Sequence, residues 1–131
     1  MYLLDTNILI YYLQGKGQVA ARLLQVPPRE VAISSITVYE LEVGLARSGA
    51  AMQRRAQLRD LLAFVAVLPF GPKEASAAAA LRTNLEQRGL PVGPLDNLIA
   101  GTAKAHQATL VTHNVGEFST IAGLQVEDWY A

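Results

Sequence analysis

Four short apolar runs, each separated from the next by one or more segments of helical spacing, and a fifth run after the last of them, constrain this chain more than any other feature. The runs are Tyr2-Leu-Leu4, Val31-Ala-Ile33, Val65-Ala-Val-Leu68, Thr109-Leu-Val-Thr112 and Leu124-Gln-Val126, and each reads as a buried strand. Helical stretches lie between them. Ile8 to Leu13 ends at Gln-Gly-Lys-Gly, and Val19 to Gln25 closes at Pro27-Pro28. Ile36 to about Arg47 ends near Gly49, and a longer helix from about Ala51 carries Leu58, Leu61, Leu62 and Val65 at helical spacing. Lys73 to Arg88 is alanine-rich and stops at Gly89. Leu95, Leu98, Ile99, Thr102, Ala103 and His106 then trace one stripe of a further helix. Short strands alternating with helices imply an α/β fold whose parallel sheet is covered by helices on both faces. Ligands of such sheets bind beyond the carboxyl ends of the strands.

Composition narrows the class. At 131 residues the chain makes one domain, spanning 1–131, and its half-apolar content excludes a disordered protein. The absence of cysteine excludes a disulfide framework, a thiolate zinc site and a thiol nucleophile. No signal peptide is visible, and no apolar stretch approaches the roughly 20 residues that span a bilayer. The expectation is a soluble protein of a reducing cytoplasm. Eleven basic residues balance eleven acidic ones, which argues against a general nucleic-acid coat. A nucleic-acid partner would be held by a local basic surface, a metal or a partner subunit.

Four acids stand where the pattern places strand ends and helix starts: Asp5, Glu40, Asp96 and Glu117. Each has a plain structural alternative. Asp5 is a good N-cap for the helix after it. Thr37-Val-Tyr-Glu40 has capping-box spacing. Asp96 suits the first turn of a helix, where the dipole favours an acid, and Glu117 suits an exposed loop. If they converge on the same sheet edge, several carboxylates would repel one another unless a cation lay between them. A hard divalent ion with oxygen ligands meets that need. It would lower the pKa of a bound water and orient a scissile phosphate.

The motifs resemble those of PIN-domain ribonucleases, and in particular the VapC toxins of VapBC toxin–antitoxin systems. The matching segments are Leu-Leu-Asp5-Thr-Asn, Ser-Ser-Ile-Thr-Val-Tyr-Glu40-Leu, Pro-Val-Gly-Pro-Leu-Asp96-Asn-Leu-Ile-Ala, Leu-Val-Thr112-His-Asn114-Val-Gly-Glu117-Phe and the terminal Glu-Asp-Trp129. In order and spacing they cover essentially the whole chain. The resemblance implies a PIN-like fold with sheet order 3-2-1-4-5 and a Mg2+-dependent endoribonuclease in which Mn2+ substitutes. It casts Asp5, Glu40 and Asp96 as the core acids, with the hydroxyls of Thr6 and Thr112 in support. Many members carry Asp where this chain has Asn114, so the fourth ligand is Asn114 or Glu117. It further implies a homodimer in the bacterial cytoplasm, an RNA substrate such as tRNA or rRNA, and a VapB-type antitoxin covering the site. DNA would be met only through the antitoxin, and no membrane is involved.

Other residues receive weaker readings. Arg47, Arg54, Arg55 and Arg59 either steer phosphates or form a solvated face, and Lys16 is within reach of RNA. His106 packs or caps a helix end, His113 has no assigned role, and Trp129 packs the C-terminus onto the sheet. Val38, Leu41 and Leu45 form one stripe, with Val43 on another face. Haloacid-dehalogenase phosphatases need a second acid at position 7, where this chain has Asn7, and receiver domains need an acidic pair that is absent. A binding protein of the same fold that does not cut RNA is the alternative from another class, and the intact core acids oppose it.

Overall fold

In the structure, a computed structural model describing residues 1–49 and 51–131, the apolar runs become five strands. They are β1 (Tyr2–Leu4), β2 (Val31–Ser34), β3 (Ala66–Leu68), β4 (Thr109–Val111) and β5 (Val126–Glu127). The sheet order is β3-β2-β1-β4-β5 with all neighbouring pairs parallel, the order expected. The helices are α1 (Thr6–Gln14), α2 (Val19–Leu23), α3 (Ser35–Ala46), α4 (Ala51–Leu62), α5 (Pro72–Gln87), α6 (Pro94–Ala105) and the single turn α7 (Val115–Phe118). A 3-10 turn at Pro28–Glu30 leads into β2.

Successive side chains of a strand face opposite ways, and this divides the apolar residues between two cores. Leu4, Val31, Ile33 and Val111 join Ile8, Leu9, Leu41, Leu45, Leu58, Leu61 and Trp129 on one face. Leu3, Ala32 and Leu110 join Leu81, Leu85, Ile99, Ala103 and Phe118 on the other. Helices α1 to α4 therefore cover one face, and α5 to α7 the other. Fully burying one such leucine contributes roughly 1.5–3 kcal/mol, so β1, β2 and β4 are held from both sides although each is only three or four residues long. The edge strand β3 departs from the buried reading, with Ala66 and Val67 exposed.

Several boundaries differ from the sequence reading for local reasons. Helix α1 starts at Thr6, ahead of Ile8, because Asp5 caps it. Helix α3 starts at Ser35 because Ser34 is its N-cap, with Oγ accepting from the Thr37 amide at 3.0 Å. The Thr37–Glu40 capping box is thereby overturned, since Glu40 lies well inside the helix. The same helix ends at Ala46 with Arg47 as C-cap, short of Gly49. Helix α5 closes at Gly89, which takes a left-handed φ of 68°. Along α6, Leu95 and Leu98 are only partly covered, while Asn97, Ala100 and Gly101 are buried with Ile99, Thr102 and Ala103. The small residues let α6 close onto α5 along a wider face than the expected stripe.

Candidate active site

All four acids follow from local chain geometry at the carboxyl edge of the sheet. Asp5 directly follows β1 and is 5% exposed. Its Oδ1 accepts the Ile8 amide at 2.9 Å, so this candidate acid is also the cap of α1. Thr112 directly follows β4, fully buried, and its side chain hydrogen-bonds Asp5. The Thr112 hydroxyl also accepts the Asn114 amide at 3.0 Å, which starts the turn into α7.

Glu40 is carried by α3 and reaches back to α1, where Oε1 accepts from the Thr6 hydroxyl at 2.7 Å. Asp96 stands in the first turn of α6 behind Pro94, half-buried. Glu117 belongs to α7 and not to a loop. Its carboxylate accepts the Gly93 amide at 3.2 Å and the side-chain amide of Asn114, and so ties α7 to the turn before Asp96.

Electrostatic coupling shows which acids share a neighbourhood. Burial pushes the Asp96 carboxyl up to about 6, with the charges of Glu117, Glu40 and Asp5 adding to the effect. Burial also raises Asp5 against its hydrogen bonds from Thr112 and Ile8, and the charges of Glu40 and Asp128 push the same way. The four expected acids thus lie within electrostatic reach of one another.

Asp128 is an addition that sequence reasoning missed, although it lies in the Glu-Asp-Trp motif. Burial would raise it, but hydrogen bonds from His113 and the Tyr130 amide hold its carboxyl below the usual range. The His113 Nδ1 contact is 2.9 Å. His113 also packs against Tyr11 and Tyr130, with ring centroids 5.9 and 4.3 Å away.

The remaining candidates divide. Arg54 lines a cleft of about 260 Å³ that also includes Glu40, Leu41 and Leu45. Arg55 pairs with Glu42 at 2.8 Å on the surface, while Arg47, Arg59 and Lys16 are exposed. His106 caps α6 and meets Glu74 at 2.8 Å, away from the four acids. Trp129 is buried against Tyr2, as expected.

Among the described residues no three His, Cys, Asp or Glu side chains are drawn together as a ready ligand set. Glu40 is turned to Thr6, and Glu117 to Asn114 and Gly93. The donors on hand are nevertheless all oxygens, and their mutual repulsion is what a hard divalent cation relieves. In donor type and charge the residues fit such an ion.

Comparison with known proteins agrees with this fold. The family model described as PIN domain matches residues 2–124. The protein named Ribonuclease VapC2 of Rickettsia felis is 37% identical over 131 residues, covering 98% of both chains. The tRNA(fMet)-specific endonuclease VapC of Shigella flexneri is 32% identical over 128 residues, covering 98% of this chain and 97% of its own. The crystal structure of VapBC2 from Rickettsia felis bound to a promoter DNA fragment superposes with a TM-score of 0.91, again at 37% identity and 98% coverage of both chains. The match over nearly the whole length, on a sheet edge that gathers the expected acids, means that the chain belongs to the PIN-domain family, within its VapC ribonuclease branch.

Proposed function

We propose that this chain is a divalent-cation-dependent endoribonuclease, the toxin of a type II toxin–antitoxin pair in a bacterial cytoplasm. The observation that carries the reading is the convergence of Asp5, Glu40, Asp96 and Glu117, with Asp96 raised to about 6 in part by the other three. Asp5, Glu40 and Asp96 would hold Mg2+ or Mn2+, with Asn114 or Glu117 completing the set. When bound, such an ion supplies the Lewis acidity that makes water a nucleophile near neutral pH and offsets charge on the phosphate.

The protein's own share is positional. Thr112 holds Asp5, Thr6 holds Glu40, and Pro94 with Glu117 sets the turn that presents Asp96. Arg54, beside Glu40 in the same cleft, attracts the RNA backbone.

The substrate is a structured RNA of the tRNA or rRNA kind, and the Shigella relative, a tRNA(fMet)-specific endonuclease, supports tRNA. A VapB-type antitoxin is the partner, as in the VapBC complex that this chain resembles, and DNA is met through that antitoxin. An apolar groove of about 650 Å³ between α1, α2 and α4, with exposed Leu24 and Phe64 on its rim, supports an apolar protein partner. The working unit is a homodimer. Among the described residues no helix is long and apolar enough to cross a membrane.

RNA cleavage is to be measured with Mg2+, with EDTA, and in Asp5→Asn and Asp96→Asn. Cleavage that persists in EDTA or in both variants would sink the metal mechanism. A folded, cation-loaded protein that cuts no RNA would favour a pure binding role.

A further inference from the structure

Three buried hydroxyls stand behind Glu40, and counting their hydrogens assigns a direction to the chain they form. The Ser34 Oγ accepts the Thr37 amide at 3.0 Å and lies 3.3 Å from the Thr37 Oγ1. The Thr37 Oγ1 is 3.1 Å from the Thr6 Oγ1, which is 2.7 Å from the Glu40 Oε1. A hydroxyl has one hydrogen, and a carboxylate oxygen offers only lone pairs. The Thr6 hydrogen therefore goes to Glu40, the shortest and charge-assisted link. The hydrogen between the two threonines must then be that of Thr37, and the one between Ser34 and Thr37 that of Ser34. The spacings shorten toward the acid, from 3.3 to 3.1 to 2.7 Å.

We propose that Thr37 is a positioning residue whose hydroxyl, backed by Ser34, sets the orientation of Thr6 and through it of the Glu40 carboxylate. Ser34 and Thr37 are fully buried and Thr6 is 9% exposed, so solvent offers little substitute for a lost link. Thr6 is β-branched with a few staggered side-chain wells, and the hydrogen from Thr37 selects the one that faces Glu40. Helix α3 thus orients its own acid by a detour through α1. This also locks the start of α1, next to Asp5, against α3. The proposal rests on Asp5, Glu40 and Asp96 being the cation site, and Thr37 touches neither cation nor RNA.

The test is calorimetric titration of the purified chain with Mn2+, together with kcat and KM for RNA, in the wild type and in Thr37→Val, Thr37→Ala and Thr37→Ser. Folding of each is checked by far-UV circular dichroism without cation. Loss of an outer-shell partner costs 10–100-fold in metal affinity or activity. The Val and Ala variants are expected to bind Mn2+ about 10-fold more weakly with KM for RNA unchanged, and the Ser variant is expected to behave as wild type. A folded Val or Ala variant that binds Mn2+ like wild type overturns the proposal. So does a Ser variant as weak as Val, since the methyl group would then be what matters, and so does failure of both hydroxyl-free variants to fold. A wild type that takes up no Mn2+ at all overturns the reading of the site itself, and the role of Thr37 with it.

Discussion

Gly101 of α6 lies so close to Ala78 of α5 that a Cβ added to it would stand 2.5 Å from the Ala78 Cβ and 2.6 Å from its Cα. The two helices are also tied by the Asn97 side-chain amide, which donates to the Ala78 carbonyl at 3.0 Å. This contact sets how α6 sits on the sheet, and α6 carries Asp96. Gly101→Ala is expected to destabilise by about 1–3 kcal/mol, the ordinary cost of overpacking. That corresponds to a melting temperature lower by roughly 3–10 °C for a chain of this size. Thermal unfolding checks it, and a drop under about 1 °C would mean that the helices are not in contact here.

Asp5 serves as cap and as acid, and two substitutions separate the roles. Asparagine caps a helix as well as aspartate does and introduces no buried charge. Asp5→Asn should therefore melt no lower than wild type in EDTA, yet lose RNA cleavage by more than the 10–100-fold of an outer-shell defect. Asp5→Ala should lose activity equally and also about 1 kcal/mol of stability with the cap. Equal stability of the two variants would show that the bond to the Ile8 amide contributes nothing.

Asp96 makes the cation-free protein sensitive to pH. Its carboxyl titrates at about 6 in the folded state against an ordinary value of 3.8. Between these values the folded form binds more protons than the unfolded form, so stability rises as pH falls from about 6 toward 4. Asp5, raised chiefly by burial, acts in the same direction. Glu74, lowered first by its bond to the Gly71 amide, and Asp128 are held below the usual range. Their stabilising contributions are lost only below about pH 4. In EDTA at pH 7, Asp96→Asn is expected to be more stable than wild type by roughly 1–2 kcal/mol after solvent screening. The gain on moving to pH 5 should shrink in the variant. Identical pH profiles of melting temperature would contradict this, since every other titrating group is common to both proteins.

Arg54 shares a cleft with Glu40, whereas Arg55 is engaged by Glu42. Arg54→Ala should raise KM for RNA several-fold with kcat nearly unchanged, and reduce the salt dependence of binding by about one unit of slope. Arg55→Ala should do little, since an exposed pair contributes only about 0–1 kcal/mol. Equal effects of the two substitutions on KM would remove the special position of Arg54.

The sheet, its order and the placing of the candidate acids near its carboxyl edge were legible because the information is local or carried by ordered motifs. Apolar runs of three or four residues between helical segments leave a parallel sheet as the available way to bury them. Asp5, Glu40 and Asp96 sit in motifs whose order and spacing the PIN family shares. Where the helices begin was less legible, because the spacing of Thr37 and Glu40 suits a cap as well as Ser34 does. Only backbone geometry decides which residue caps. The bond from Thr6 to Glu40 spans 34 positions, the charge of Asp128 reaches Asp5 from the far end of the chain, and Glu117 is held by Gly93 across 24 positions. Such contacts depend on how α3, α6 and α7 lie against β1 and β4. Hydrophobic periodicity determined the alternation of strands and helices, and the ordered motifs marked the acids that stand at their ends. The tertiary structure alone decided which hydroxyls and amides hold those acids, because side-chain hydrogen bonds are set by distances of a few tenths of an ångström that no linear pattern encodes.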